Sequence, residues 1–212
     1  MKGTSTLKRD YLIVHSYSAF SNVNVNPPFE CIDMYDLEST DLSNYKCMII
    51  AGMVDQEYLE EQKHLIEQFL NDGKIVIWGG HLEFEWLPGC PIFTPKDIQT
   101  FSDYNISIVQ ENPIFEGVNP DEMTFNKGVA GFFARGSHTP VPVGAEILLT
   151  LPGDAAITYI DRQTTRGTIL AHAGRDLFAQ RMQNKSTDLI SEQLLQWVHD
   201  EAKQLKERMN NA

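Results

Sequence analysis

The chain has 212 residues, of which 42% are hydrophobic and 22% charged. This composition excludes a disordered or fibrous protein. The length allows one core to bury roughly 70% of the surface that the unfolded chain exposes. A formal net charge of −12 disfavours nucleic acid as a partner, because phosphates would be repelled on average. Three cysteines without a CxxC pair do not fit a secreted disulfide framework, and no apolar run approaches the ~18 residues of a membrane helix. We expect one domain over residues 1–212, located in the cytoplasm and not in a membrane.

The first predicted elements are strands. Apolar runs indicate buried strands at residues 11–14 and 47–51, since a strand covered on both faces needs no polar alternation, and residues 30–35 are predicted as a further strand. A Pro- and Asn-rich segment joins the strands at 11–14 and 30–35, where the sequence predicts no regular helix.

A strand, helix, strand unit follows. Asp55 is the predicted N-cap of a helix whose apolar residues recur at i, i+3, i+4 spacing up to Leu70, and residues 71–73 are a plausible stop. The apolar run 74–78 comes directly after. Such a crossover predicts two parallel strands joined right-handedly.

The second half predicts further strands at residues 106–109, 146–151, 156–160 and 167–171, with a turn at 152–154 that makes this half partly antiparallel. A final helix is predicted over 187–209. Its apolar stripe comprises Leu189, Ile190, Leu194, Trp197 and Val198. On the same helix, Lys203, Lys206 and Arg208 alternate with Glu201 and Glu207, which we interpret as a solvated face.

The order of these segments carries a family resemblance. The segments are Tyr45 to Gly52, Leu65 to Gly73 running into Lys74 to His81, Asn112 to Val118, Ala145 to Leu151, and Thr165 to His172. In this order the chain resembles the class I glutamine amidotransferase-like superfamily, and within it the ThuA-like proteins. The resemblance implies a three-layer α/β/α fold with a mostly parallel, flavodoxin-like sheet, and a site at the strand ends.

The chain departs from the glutaminases of that superfamily at two positions. Those enzymes carry a nucleophilic cysteine in the turn after the strand that matches residues 74–78, and a late His-x-Glu pair. Here the turn reads Gly79, Gly80, His81, and His172 is followed by Ala and Gly. Hydrolysis of an amide by a Cys–His pair therefore has no nucleophile in place, a loss that is common among ThuA-like proteins.

Candidate site residues follow the predicted strands, because ligands of open α/β sheets bind beyond the carboxyl ends. His81 and Glu83 supply a base and a carboxylate, and His172 matches the late histidine of the superfamily. These three are the candidate catalytic residues. The candidate ligand-binding residues are His15, Gly52, Gly79, Gly80, Arg175 and Asp176. Each also has a structural interpretation, as a tight turn, a core histidine or a local ion pair.

Three functions are compatible with the sequence. The first is a domain that binds a small polar ligand, such as a carbohydrate derivative, without a cofactor. The second is a non-enzymatic interaction or assembly domain on the same scaffold, and a homo-oligomer is compatible with the sequence. The third is a hydrolase that uses a metal or a serine such as Ser16 or Ser137. The spacing of His81, Glu83 and Glu85 matches no specific metal motif, so no metal site is assigned.

Overall fold

In the computed structural model, which describes residues 9–16, 28–180 and 184–211, the apolar runs of the sequence form strands. The described residues contain twelve strands, β1 (Tyr11–His15), β2 (Phe29–Asp33), β3 (Cys47–Ala51), β4 (Ile75–Gly79), β5 (Thr94–Pro95), β6 (Ser107–Ile108), β7 (Phe125–Asn126), β8 (Val129–Ala130), β9 (Gly136–Ser137), β10 (Glu146–Leu151), β11 (Ala155–Asp161) and β12 (Thr168–His172). The α-helices are α1 (Gln56–Glu61), α2 (Lys63–Asn71), α3 (Pro120–Thr124) and α4 (Ile190–Asn211).

Eight strands form the central sheet in the order β2-β1-β3-β4-β12-β11-β10-β6. The first five are parallel, and β11, β10 and β6 continue the sheet antiparallel. From β1 the chain first places β2 on one side and then β3 and β4 on the other side. The strand order therefore reverses between β1 and β3. This is the flavodoxin-like arrangement, whose ligands bind beside that reversal.

The two faces of the sheet are covered by different helices, because successive side chains of a strand point to opposite sides. On β3, Cys47 and Ile49 belong to the core that α4 covers, and Met48 and Ile50 belong to the core under α1 and α2. The result is a three-layer α/β/α domain. Within the described residues, no helix has the length and apolarity needed to cross a membrane.

The helix predicted from Asp55 onward is divided in the structure. Asp55 caps it as expected, its side chain accepting a hydrogen bond from the Tyr58 N–H, but α1 ends at Glu61, and its C-cap residue Gln62 has φ of −97° and ψ of 10°. The strand predicted at 30–35 ends at Asp33, whose carboxylate starts a 3-10 turn by accepting the Tyr35 N–H. The Pro- and Asn-rich connection predicted after β1 falls on residues 17–27, outside the described residues.

The prediction that the charged residues of the C-terminal helix form a solvated face is wrong at Glu201, which is 2% exposed. Its carboxylate accepts two hydrogen bonds from Arg162, at 2.9 and 2.8 Å, and others from Thr168 and Arg208. Burial alone would raise the pKa of Glu201, but the hydrogen bonds from Arg162 and Thr168 outweigh it and lower that pKa. Leu189 also leaves the predicted stripe, since it is 43% exposed in the turn before α4.

Candidate functional site

A cleft of about 560 Å³ opens at the carboxyl ends of β3, β4 and β12. It is formed by the residues that follow these three strands, namely Gly52, Met53, Val54, Asp55, Gln56, Gly80, His81, Glu83, Gly174 and Arg175. Its volume lies within the range of small-molecule sites. The cleft adjoins the reversal of strand order between β1 and β3, where this fold type binds its ligands.

The β3 side of the cleft is set by a glycine turn and a helix cap. Gly52 has a φ of +56°, which disfavours any residue with a Cβ, and its N–H donates to the Gly79 carbonyl at 2.6 Å. Asp55 accepts from the Tyr58 N–H at 3.1 Å and from the Tyr35 hydroxyl at 2.9 Å. The Tyr58 N–H has the larger effect and the Tyr35 hydroxyl the next, and both lower the pKa of Asp55. The cleft therefore carries an ionised carboxylate whose orientation these two donors hold.

Close packing explains the paired glycines after β4. A Cβ on Gly79 would lie 3.1 Å from the Asp176 Cα, and a Cβ on Gly80 would lie 2.7 Å from the Trp78 ring. Neither glycine has a positive φ. Of these two candidate ligand-binding residues, Gly80 lines the cleft, whereas Gly79 packs against Asp176 outside it.

Gln56 holds the loop that carries His81 and Glu83. Gln56 as a whole residue is 9% exposed. The amide Nε2 donates to the His81 carbonyl at 2.7 Å, and Oε1 accepts from the Glu83 N–H at 2.9 Å and from Trp86 Nε1 at 3.1 Å. One buried amide thus ties the start of α1 to three positions of the loop after β4.

Replacing Gln56 by Leu is expected to lower the free energy of unfolding by about 2 kcal/mol, because the buried Trp86 indole N–H and two partly buried backbone groups of the loop lose their hydrogen-bond partner. Urea unfolding followed by tryptophan fluorescence measures this change. Gln68→Leu, on the exposed side of α2, is the matched control and is expected to stay near the wild-type value. Equal stability of the two variants would contradict the role given to Gln56.

His81 lies at the mouth of the cleft with its ring stacked on Phe93, the centroids 3.7 Å apart and the planes at 10°. Partial burial lowers the pKa of His81, the nearby Glu83 carboxylate raises it, and Arg135 lowers it, with a net decrease. The imidazole is therefore neutral near pH 7. In that state it both donates and accepts a hydrogen bond.

His172 does not share the cleft with His81, although both follow strands. It has no exposed surface, its Nδ1 lies 2.8 Å from the Thr158 hydroxyl, and its ring meets Phe133 edge-on at 5.0 Å. Burial, followed by the proximity of His138, lowers the pKa of His172 to about 3. The structure therefore places this candidate catalytic residue in the core, as a neutral histidine.

The other candidates are also separated. Arg175 is exposed on the cleft wall, and its backbone N–H donates to the Phe133 carbonyl at 3.3 Å. Asp176 caps a short turn by accepting the Phe178 N–H, and His15 ends β1 beside Asp33. The structure thus brings together Gly52, Gly80, His81, Glu83 and Arg175. His15, Gly79, His172 and Asp176 are outside the lining of the cleft.

Sequence reasoning missed two buried residues that hold the loops of the site, Gln56 and His138. His138 is fully buried, with Nδ1 2.9 Å from the Pro91 carbonyl and Nε2 3.3 Å from the Gly80 carbonyl. Phe93 supports the His81 ring, and Gln56 holds the loop. The N-cap pattern around Asp55 pointed to Gln56 only as a helix residue. No local pattern pointed to His138.

Two side chains that could act as nucleophiles, Cys90 and Ser137, lie within the described residues. Burial raises the pKa of the Cys90 thiol to about 12, so this cysteine is not a thiolate. In the described part of the chain, no hydrogen bond joins the Ser137 hydroxyl to a histidine. Nor does any group of three or more His, Cys, Asp or Glu side chains there converge as a metal site.

Comparisons with known proteins bear on the fold. No protein-family model matches the sequence, and no curated protein matches it significantly. Among solved structures, the cytoplasmic protein STM3548 from Salmonella typhimurium matches with a TM-score of 0.54 and 12% identity, over 89% of this chain and 98% of that one. The cytoplasmic protein STM1381 from Salmonella typhimurium LT2 matches with a TM-score of 0.50 and 11% identity, over 91% and 99%. At such identities the likeness shows a shared fold alone.

Proposed function

We propose that this chain is a ThuA-like, glutamine amidotransferase-like domain without the cysteine nucleophile, and that its cleft binds a small polar ligand. The observation that carries the proposal is the set of ionisable groups of both signs, Asp55, Glu83, His81 and Arg175, around one cleft at the strand ends. The cytoplasmic solved proteins of the same fold support a cytoplasmic location.

The charges of the cleft favour a hydroxylated ligand with one anionic group. Arg175 offers charge-assisted hydrogen bonds to a carboxylate or phosphate. The carboxylates of Asp55 and Glu83 accept hydrogen bonds from hydroxyl groups and repel a ligand with several negative charges. A sugar acid or sugar monophosphate meets both conditions. The chemistry that these residues support is proton transfer by the neutral His81 at most.

Binding is expected to depend on Arg175 and His81. A calorimetric panel of matched neutral sugars, sugar acids and sugar phosphates identifies the tightest compound, which is then titrated into Arg175→Ala and His81→Ala. Loss of a charge-assisted hydrogen bond predicts about tenfold or weaker binding for Arg175→Ala. Arg166→Ala and His64→Ala, both away from the cleft, are the controls and should bind as the wild type does.

Wild-type affinity in both cleft variants would contradict the proposed site. Failure of the whole panel to bind would favour the interaction domain instead. The feature that supports that alternative is the β7–β8 hairpin region, where Phe125, Val129 and Phe132 are 37%, 50% and 52% exposed.

A further inference from the structure

The outer edge of β6 is open to a further strand. In its pairing with β10, Ile108 lies opposite Leu149, and the Val109 N–H donates to the Leu148 carbonyl at 2.9 Å. Neighbouring residues of an antiparallel strand alternate between facing the partner and facing away. The N–H and C=O of Ile108 therefore point away from β10, and no described residue hydrogen-bonds with either group.

The same edge is closed two residues earlier in the chain, at Ile106. Ile106 also points its N–H outward, but that group donates to the Thr124 hydroxyl of α3 at 2.9 Å. A strand added to this edge is therefore blocked at Ile106 and has its first free donor and acceptor at Ile108. The position of α3 sets where such a strand would begin.

A cavity of about 560 Å³ lies at this open edge. Its apolar lining comes from Ile108, Pro113, Phe115 and Val118, and the remaining lining residues are Glu111, Asn112, Glu116 and Gly117. The Asn112 side chain is used within the chain, as it accepts the Ile114 N–H at 3.0 Å. Glu111 and Glu116 are exposed, and neither forms an ion pair with a described residue.

We propose that this edge binds an extended peptide segment that carries basic side chains, by adding it as a strand beside β6. The unpaired backbone groups of Ile108 supply the main-chain hydrogen bonds of strand addition. Glu111 and Glu116 supply charge complementarity to Lys or Arg, and the net charge of −12 steers a cationic peptide toward the protein. The β6 edge shares no lining residue with the small-ligand cleft, so the two sites are independent.

The test uses a fluorescein-labelled hexapeptide of alternating Val and Lys, titrated into the full chain and followed by anisotropy. We expect binding that weakens at high salt and that a peptide with Glu in place of Lys does not show. Removing donors along one peptide edge by N-methylation is expected to weaken binding about fivefold per hydrogen bond lost. In the complex, the Ile108 amide proton should become protected from exchange.

The protein variant Glu111→Gln with Glu116→Gln is expected to weaken binding several-fold, whereas Glu61→Gln with Glu67→Gln, on the opposite helical layer, should not. The proposal is overturned if the hexapeptide fails to bind at millimolar concentration or if the N-methylated peptide binds equally well. It is also overturned if butylamine competes as strongly as the peptide, because that result indicates a site for small cations only.

Discussion

Replacement of Glu201 by Gln is expected to lower the free energy of unfolding by about 3 kcal/mol, because a buried ion network loses its central charge. The Glu201 carboxylate is buried and accepts hydrogen bonds from Arg162, Thr168 and Arg208. Removing its charge leaves the half-buried Arg162 guanidinium with only the Glu146 carboxylate, 2.7 Å away. Urea unfolding at neutral pH measures the loss.

Two further variants test the mechanism of that loss. Glu207→Gln, an exposed residue of the same helix, is expected to change the stability by no more than a few tenths of a kcal/mol. The double variant Arg162→Met with Glu201→Met should recover much of the stability, since an apolar pair leaves no buried charge uncompensated. If Glu201→Gln were no more damaging than Glu207→Gln, the ion network would not stabilise the fold.

Acidification is expected to destabilise the protein before its carboxylates are protonated. Burial holds the pKa of His172 at about 3, well below the unfolded value of about 6.5. The stability from keeping His172 neutral is complete above about pH 6.5 and is lost as the pH falls toward 3. The slope is about 1.4 kcal/mol per pH unit, so His172 alone removes on the order of 3 kcal/mol by about pH 4.5.

Urea unfolding at a series of pH values measures this slope. His138, whose pKa burial also lowers, adds to it in the same direction. His172→Gln should flatten the slope, whereas His64→Gln, on the exposed face of α2, should leave it unchanged. A constant stability between about pH 6.5 and 4.5 would contradict the burial of a neutral His172. The contribution of Glu201 is lost at lower pH, because its folded pKa is depressed.

Much of the fold was predictable because local pattern and turn chemistry agree with it. The apolar runs at β3 and β10 have the predicted bounds, and the turn between β10 and β11 has positive φ at Gly153 and Asp154. The burial of Glu201 was not predictable. It stands among charged residues of the helix, such as Asp200 and Lys203, and its partner Arg162 is distant in the chain, so only tertiary packing brings the two together.

The site was predictable to the extent that it follows from strand ends. That rule placed Gly52, Gly80, His81, Glu83 and Arg175 at one cleft. It does not separate a residue whose side chain faces solvent from one that turns inward, as His172 does toward Thr158. Gln56 and His138 act through hydrogen bonds to loops 25 or more residues away, which no local pattern encodes.

The most direct test of the ligand site is a two-dimensional amide NMR titration of the wild-type chain with the sugar acids and sugar phosphates of the panel. We expect saturable shifts at Gly52, Gly80, His81, Glu83 and Arg175, and unchanged signals at the β6 edge around Ile108. Shifts confined to another surface, or no shifts with any compound, would contradict the assignment of this cleft as a binding site.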